Sequence, residues 1–195
     1  MTKREVIREN LTDILGAEQY AFQRIELQSR DERVRKFSNA HLALQKIQAV
    51  LNSHIAELER QLSAVNGGFE AKLKRTATSI AGSVAGIFVK LRTNEPVSKL
   101  LRDDYTLLNH AVITYGMLHT AALALGEPLI ASMAEAHMIE LTPMIVELSE
   151  LIPFVLTTEL TGKGKVEDAA VALQAAVDAR VCYRDAWRHE VTMRN

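Results

Sequence analysis

The sequence predicts an all-α protein in which four long helices form an antiparallel bundle, with a long helical crossover and an extra C-terminal helix. Apolar residues recur three and four positions apart through most of the chain, which is the period of a helix buried on one side. Glycine, asparagine and proline fall together at a few places and divide these periodic stretches. Aromatic residues make up only 5% of the 195 residues, so aliphatic side chains and alanine must fill the core.

The composition favours a soluble cytoplasmic protein. The hydrophobic fraction of 48% is enough for a substantial core, and the net charge of -1 argues against a nucleic-acid binder. Cys182 is the one cysteine, which excludes an internal disulfide and suits a reducing compartment. The first ten residues lack the apolar core of a secretion signal, and no stretch reaches the roughly 20 apolar residues of a membrane span. We expect a bundle over residues 1–160 and a helical arm over residues 161–195.

The first helix carries an isolated carboxylate on its apolar face. Thr2 and Glu5 have the spacing of a capping box, in which each side chain binds a free amide of the first turn. One face then combines Leu11, Ile14, Glu18, Phe22 and Ile25. An unpaired buried charge is costly, so Glu18 needs a partner, a metal ion or a proton. The alternative is that Glu18 lies at the edge of the stripe and reaches water.

The second helix has polar residues on its inward side. Ser29 and Glu32 form a second capping-box pattern, which predicts a turn at this point. The inward positions form a seven-residue repeat made of Phe37, His41, Leu44, Gln48, Leu51, Ile55, Leu58 and Leu62. With equal rise per residue in both helices, Glu18 should lie level with His41 and Gln45.

Residues 69–99 interrupt the bundle with a basic and apolar segment. Its small residues and its lysines and arginines fit a helical crossover that covers one end of the core. The same composition permits an interfacial helix on anionic lipid through residues 69–92. The first interpretation is favoured because amphipathic faces usually pack inside proteins.

The third and fourth helices meet at a short turn. Gly126 suits the left-handed position after a helix end, and Pro128 suits the first turn of the next helix. Pro143 should kink the fourth helix or force a new start, and Pro153 should do the same. The polar residues on or beside the inward stripes are His110, Tyr115, His119, Glu135, His137 and Glu140.

The sequence does not determine where the C-terminal helix packs. Residues 161–164 read as a flexible link before a final amphipathic helix. That helix can dock on the bundle or on a second copy of the chain, and the sequence alone does not choose between them.

The order of these elements is that of the ferritin-like bundle, in which one long crossover joins two helix pairs. Short motifs carry a closer resemblance: Leu11-Thr12-Asp13 with Ala17-Glu18, His41, Asp104, Tyr115-Gly116 and Leu125-Gly126. Over residues 5–150 the chain resembles the ferritin-like stress proteins of the YciE/YciF type. That resemblance implies a homodimer, a link to stress responses and, in many members, a two-metal centre between the helices.

A carboxylate-bridged two-metal centre needs about four acidic residues and two histidines, usually with Glu-x-x-His on two helices. The candidate metal ligands in this chain are Glu18, His41, His110, Glu135 and His137. Gln45 and Gln48 occupy the positions at which such a centre needs an acidic residue and a histidine. His54-x-x-Glu57 and His137-x-x-Glu140 run in the reverse order, and His54 is expected too near the far end of its helix.

This inventory favours a degenerate or absent metal centre and a scaffold or stress-associated role. Without a metal, His41, Gln48, Tyr115 and His137 would form a buried polar layer that neutralises Glu18. A single metal ion or a degenerate two-metal site is the alternative cofactor prediction. The alternative functions are a metal-dependent iron or manganese oxidase, an iron-handling protein, and a binding module for anionic membrane surfaces. No catalytic residue is assigned.

Overall fold

The computed structural model describes residues 1–66, 95–165 and 168–192, with side chains as far as Cys182. Within these ranges the chain is helical and contains no strand, which confirms the all-α prediction. The helices are α1 (Lys3–Ser29), α2 (Glu32–Arg35), α3 (Ser38–Val65), α4 (Val97–Ala124), α5 (Pro128–Gly162) and α6 (Ala169–Thr192). Most of the predicted crossover, and with it the proposed lipid-binding segment, lies outside the described residues.

Four long helices pack around one core, and each neighbouring pair is antiparallel. Helix α1 packs against α3 and α4, and α5 packs against the same two helices. Lys3 near the start of α1 pairs with Glu127 just after the end of α4, at 2.9 Å. Near the other end of α1, Arg24 pairs with Asp104 at 3.1 Å. These two contacts fix the opposite directions of α1 and α4.

The end of α3 and the start of α4 lie at opposite ends of the core. Lys46, in the first half of α3, pairs with Glu147 in the second half of α5. The amide of Val97, at the start of α4, donates to Glu159 near the end of α5. The start of α3, the start of α4 and the end of α5 therefore share one end of the core, and Val65 lies at the other.

The core is aliphatic along its whole length. Leucines and isoleucines from all four long helices are fully buried, as the low aromatic content predicted. Among the described residues, Tyr115 is the one aromatic ring in the set of largest fully buried side chains. Its place on the buried face of α4 brings a hydroxyl group into this apolar interior, where a polar atom needs a hydrogen-bond partner.

The helix signals predicted at Thr2 and Gly126 are confirmed, and the one predicted at Ser29 is wrong. The amide of Glu5 donates to the Thr2 hydroxyl while the amide of Thr2 donates to the Glu5 carboxylate, so α1 has its capping box. Gly126 has a φ of 70°, the left-handed conformation predicted for it. The predicted cap at Ser29 is wrong, because Asp31 caps the short helix α2 instead and the connection uses residues 30–37.

The new helix start predicted as one outcome at Pro143 and at Pro153 is also absent. Helix α5 is continuous from Pro128 to Gly162 with Pro143 and Pro153 inside it. Pro143 is exposed, so the carbonyl group that loses its amide partner there belongs to an exposed turn around Ile139. Water can donate a hydrogen bond to that carbonyl, so the helix continues through the proline.

The last helix packs on its own chain. Ala176 is buried against α5, and Arg180 pairs with Glu150 of α5 at 2.9 Å. This contact answers the question that the sequence left open for the part of α6 whose side chains are described. In the ranges given above, no helix combines the length and the apolar character that crossing a bilayer would need.

A buried histidine–carboxylate network

Glu18 is fully buried at the centre of the four helices and pairs with a histidine. The apolar stripe of α1 carries it inward, as the sequence predicted. Its Oε1 atom lies 3.0 Å from Nδ1 of His54, which is itself 2% exposed. The expected partners His41 and Gln45 are not the ones found. The connection between α1 and α3 is longer than predicted, so the residue of α3 that is level with Glu18 lies further along the chain.

The second ring nitrogen of His54 binds another carboxylate. Nε2 of His54 lies 3.1 Å from Oε2 of Glu140, whose side chain is 54% exposed. A neutral imidazole has one N–H and can donate to only one of the two carboxylates. Two short contacts of this kind therefore favour the doubly protonated ring. His54 links a fully buried carboxylate to one at the surface.

The surroundings of His54 raise its pKa. Burial alone favours the neutral ring, but the hydrogen bond and charge of Glu18, followed by those of Glu140, outweigh it. Burial raises the pKa of Glu18 as well, against the opposing effect of His54. Both shifts mean that the pair binds a proton tightly. We assign that proton to His54, because each of its two ring nitrogens faces a carboxylate oxygen that can accept a hydrogen bond. Glu18 has only one such short contact.

A second histidine stacks on the first. The rings of His54 and His137 are parallel to within 6°, with centroids 3.7 Å apart. Burial, and then the charge of His54, lower the pKa of His137 to about 4. A neutral His137 thus lies over a charged His54. This arrangement avoids two like charges in contact.

Tyr115 completes the network from α4. Its hydroxyl and Nδ1 of His137 share a hydrogen bond of 2.8 Å, and the two rings meet edge to face. Burial and the nearby Glu18 raise the pKa of Tyr115, so the phenol keeps its hydrogen. The Tyr115 hydroxyl also favours the charged form of Glu18 and so opposes the rise in its pKa. Oε2 of Glu18 has no hydrogen-bond partner among the described residues.

The other sequence-predicted site residues lie elsewhere. His110 and Glu135 are exposed on the outer faces of α4 and α5. His41 is half-buried near the start of α3, and its buried Nδ1 has no partner among the described residues. Gln48 is also half-buried and makes no side-chain hydrogen bond to the network in the described structure. Of the predicted ligands and layer residues, the structure brings together Glu18, Tyr115 and His137.

His54 and Glu140 are the members that the sequence reasoning did not assign to the site. The available signal was the repeated His-x-x-Glu spacing, at His54 and again at His137. Residues three apart lie on one helix face, so each motif could place both of its polar groups inward. The second long helix was predicted to begin too early in the chain, and this placed His54 too far along it to be level with Glu18.

This network does not fit a two-metal centre. Both nitrogens of His54 and Nδ1 of His137 already have hydrogen-bond partners. The carboxylates of Glu18 and Glu140 flank opposite edges of one imidazole ring, so they do not converge on a shared ion. Among the residues the structure describes, no group of three or more histidine, cysteine, aspartate or glutamate side chains is placed to hold a metal.

A second buried polar group lies toward one end of the core. Asp104 is fully buried, and its Oδ1 accepts from Arg24 at 3.1 Å and from Gln28 at 3.0 Å. Arg24 also reaches Asp103. Burial raises the pKa of Asp104 to about 7, although Arg24 and Gln28 both favour the charged form. Oδ2 of Asp104 has no partner in the described ranges, which agrees with a carboxylate that is poorly compensated.

Comparison with known proteins gives no family for this chain. It matches no protein-family model, and no curated protein matches it.

Proposed function

We propose that the chain is a ferritin-like four-helix bundle in which a proton network takes the place of the metal centre, and that it acts as a scaffold or stress-associated protein. In this proposal Glu18, His54, His137 and Tyr115 set the register of the four helices. Buried polar layers of this kind fix which residues face each other, because every mismatch leaves a polar group without a partner. The expected homodimer, stress role and cytoplasmic location belong to the same proposal through the resemblance.

The helix directions support the ferritin-like part. All neighbouring pairs among the four long helices are antiparallel, and residues 67–94 join two ends that lie at opposite ends of the core. One long crossover between the second and third long helices is the connection that ferritin-like bundles use. A bundle with only short turns would place those two ends side by side.

One observation carries the functional part: both ring nitrogens of His54 face carboxylate oxygens at 3.0 and 3.1 Å. A metal-binding histidine gives one nitrogen to the ion and leaves only the other for a hydrogen bond. His54 has no nitrogen left for an ion. The oxidase alternative would need this histidine, since it is the one that contacts Glu18.

Metal analysis tests this proposal. The protein, purified without chelator and dialysed against Fe²⁺, Mn²⁺ or Zn²⁺, is expected to retain far less than one ion per chain by elemental analysis. Its melting temperature should not change with added metal, because an ion that bound the folded state would stabilise it. Glu135→Ala serves as a control at an exposed carboxylate. Stoichiometric metal that is lost in Glu18→Gln but kept in the control would overturn the proposal in favour of the oxidase or iron-handling alternative.

A further inference from the structure

An apolar groove runs between α4, α5 and α6, away from the buried network. Its volume is about 780 Å³, within the range of pockets that hold small organic ligands. Tyr105 of α4 and Ile152 and Leu156 of α5 form its apolar floor, and alanines of α6 form the opposite wall. We propose that this groove binds a chain-like carboxylate, with the hydrocarbon chain along the floor and the carboxylate at Lys99.

The space exists because α6 approaches α5 with small side chains. Ala172, Ala176 and Ala179 line the groove, and Ala176 is buried where the helices touch. Methyl groups cannot fill the volume between this helix and the α4–α5 surface. Leu156 remains 45% exposed as a result. An apolar chain in the groove would cover that surface and gain the free energy of removing it from water.

A positive charge at one end of the groove selects an anionic head group. Lys99 is exposed and has no ion-pair partner in the described part of the chain. Its acidic neighbour Glu159 is engaged by the amide of Val97 and the hydroxyl of Ser98. The other cation that lines the groove, Arg102, is already paired with Asp103 at 2.7 Å. Among the described lining residues, Lys99 is therefore the cation without a partner, and it lies at one end of the apolar floor.

The dimensions suit an extended chain of moderate length. The stretch of α4 that lines the groove runs from Ser98 to Thr106, about 12 Å at 1.5 Å per residue. Decanoate is a matching probe because its chain is close to this length. The groove is independent of the proposed scaffold function, since the groove and the buried network share no residue.

Displacement of a fluorescent fatty acid tests the site. Dansyl-labelled undecanoic acid is titrated into the full-length protein and then displaced with decanoate, decanol or an unrelated amphipathic peptide. We expect enhanced fluorescence and displacement by decanoate, with decanol weaker because it lacks the charge for Lys99. Leu156→Asp places a charge in the apolar floor, and Ala175→Phe fills the space. Each should weaken probe binding roughly tenfold or more.

Two further variants separate the head group from the chain. Lys99→Gln should weaken decanoate several-fold and leave decanol unchanged, while Lys36→Gln, at an exposed lysine just after α2, should change neither. Leu129→Asp is the matched control for Leu156→Asp, because Leu129 is 80% exposed at the far end of α5. Binding unaffected by Leu156→Asp and Ala175→Phe would overturn the site. Equal loss of decanoate and decanol in Lys99→Gln, or displacement by the peptide alone, would overturn the assignment of a carboxylate ligand.

Discussion

Replacing His54 with alanine is expected to lower the free energy of unfolding at pH 7 by about 3–5 kcal/mol, the usual cost of removing one partner from a buried ion pair. Glu18 is fully buried, and its one short contact is to His54. Without the imidazole, the carboxylate must stay charged without a partner or take up a proton. The stacked ring of His137 also loses its neighbour. Urea unfolding followed by circular dichroism measures the loss.

The size of the loss should depend on pH in a defined direction. The pKa of His54 is raised in the folded protein, so its stabilising effect is fully present below the unfolded value of about 6.5 and is lost as the pH rises through the folded pKa. His54→Ala should therefore cost less in strongly alkaline buffer than at pH 6.

A paired variant shows whether the loss comes from the unpaired carboxylate. The double variant Glu18→Leu with His54→Leu removes both charges, and replacing both partners of a buried ion pair by apolar residues is often nearly neutral. It should be more stable than His54→Ala. Glu135→Ala, at an exposed carboxylate, should change stability by no more than about 0.5 kcal/mol. A double variant as unstable as the sum of the two single variants would contradict the pairing.

Replacing Arg24 with leucine is expected to cost about 3 kcal/mol at pH 8 and clearly less at pH 5, for the same kind of buried pair. The folded pKa of Asp104, about 7, lies above its usual value of 3.8. Ionising this group therefore opposes folding, and its effect lowers stability as the pH rises between about 4 and 7. Loss of Arg24 raises the pKa further. At pH 5, Asp104 is then neutral, so removing the guanidinium lowers the free energy of unfolding by less.

Unfolding at the two pH values provides the measurement. Arg30→Leu is the matched control, because Arg30 is mostly exposed and its ion pair in the described part of the chain is with Glu26, one turn earlier. Such pairs contribute about 0.3–0.5 kcal/mol, so the control should change little at either pH. Equal losses for Arg24→Leu at pH 5 and pH 8 would show that Asp104 does not titrate in this range.

The sequence predicted those parts of the fold that local chemistry determines. Thr2 and Glu5 cap α1 through their own side chains, and Gly126 needs no tertiary contact to take its left-handed conformation. The inward position of Glu18 followed from the apolar stripe of α1. The continuity of α5 through Pro143 was not predictable, because it depends on which face of the helix meets water.

Which residues meet in the site depends on the register between the helices, and the sequence patterns did not determine that register. The cap at Asp31 and the short helix α2 move the start of α3 to Ser38, and this shift brings His54 to the level of Glu18. A helical wheel gives the direction of a side chain but not its depth. His110 and Glu135 therefore looked like ligands and lie on the surface.

Histidine ring nitrogen NMR tests most directly whether a proton, and not a metal ion, joins the central carboxylates. With ¹⁵N-labelled histidine, each ring is assigned by substitution, using His54→Gln and His137→Gln. At pH 7 both nitrogens of His54 are predicted to carry hydrogen, while His137 stays neutral down to about pH 5, since its pKa is near 4. A His54 ring with one bare or metal-bound nitrogen at pH 7 would contradict the account.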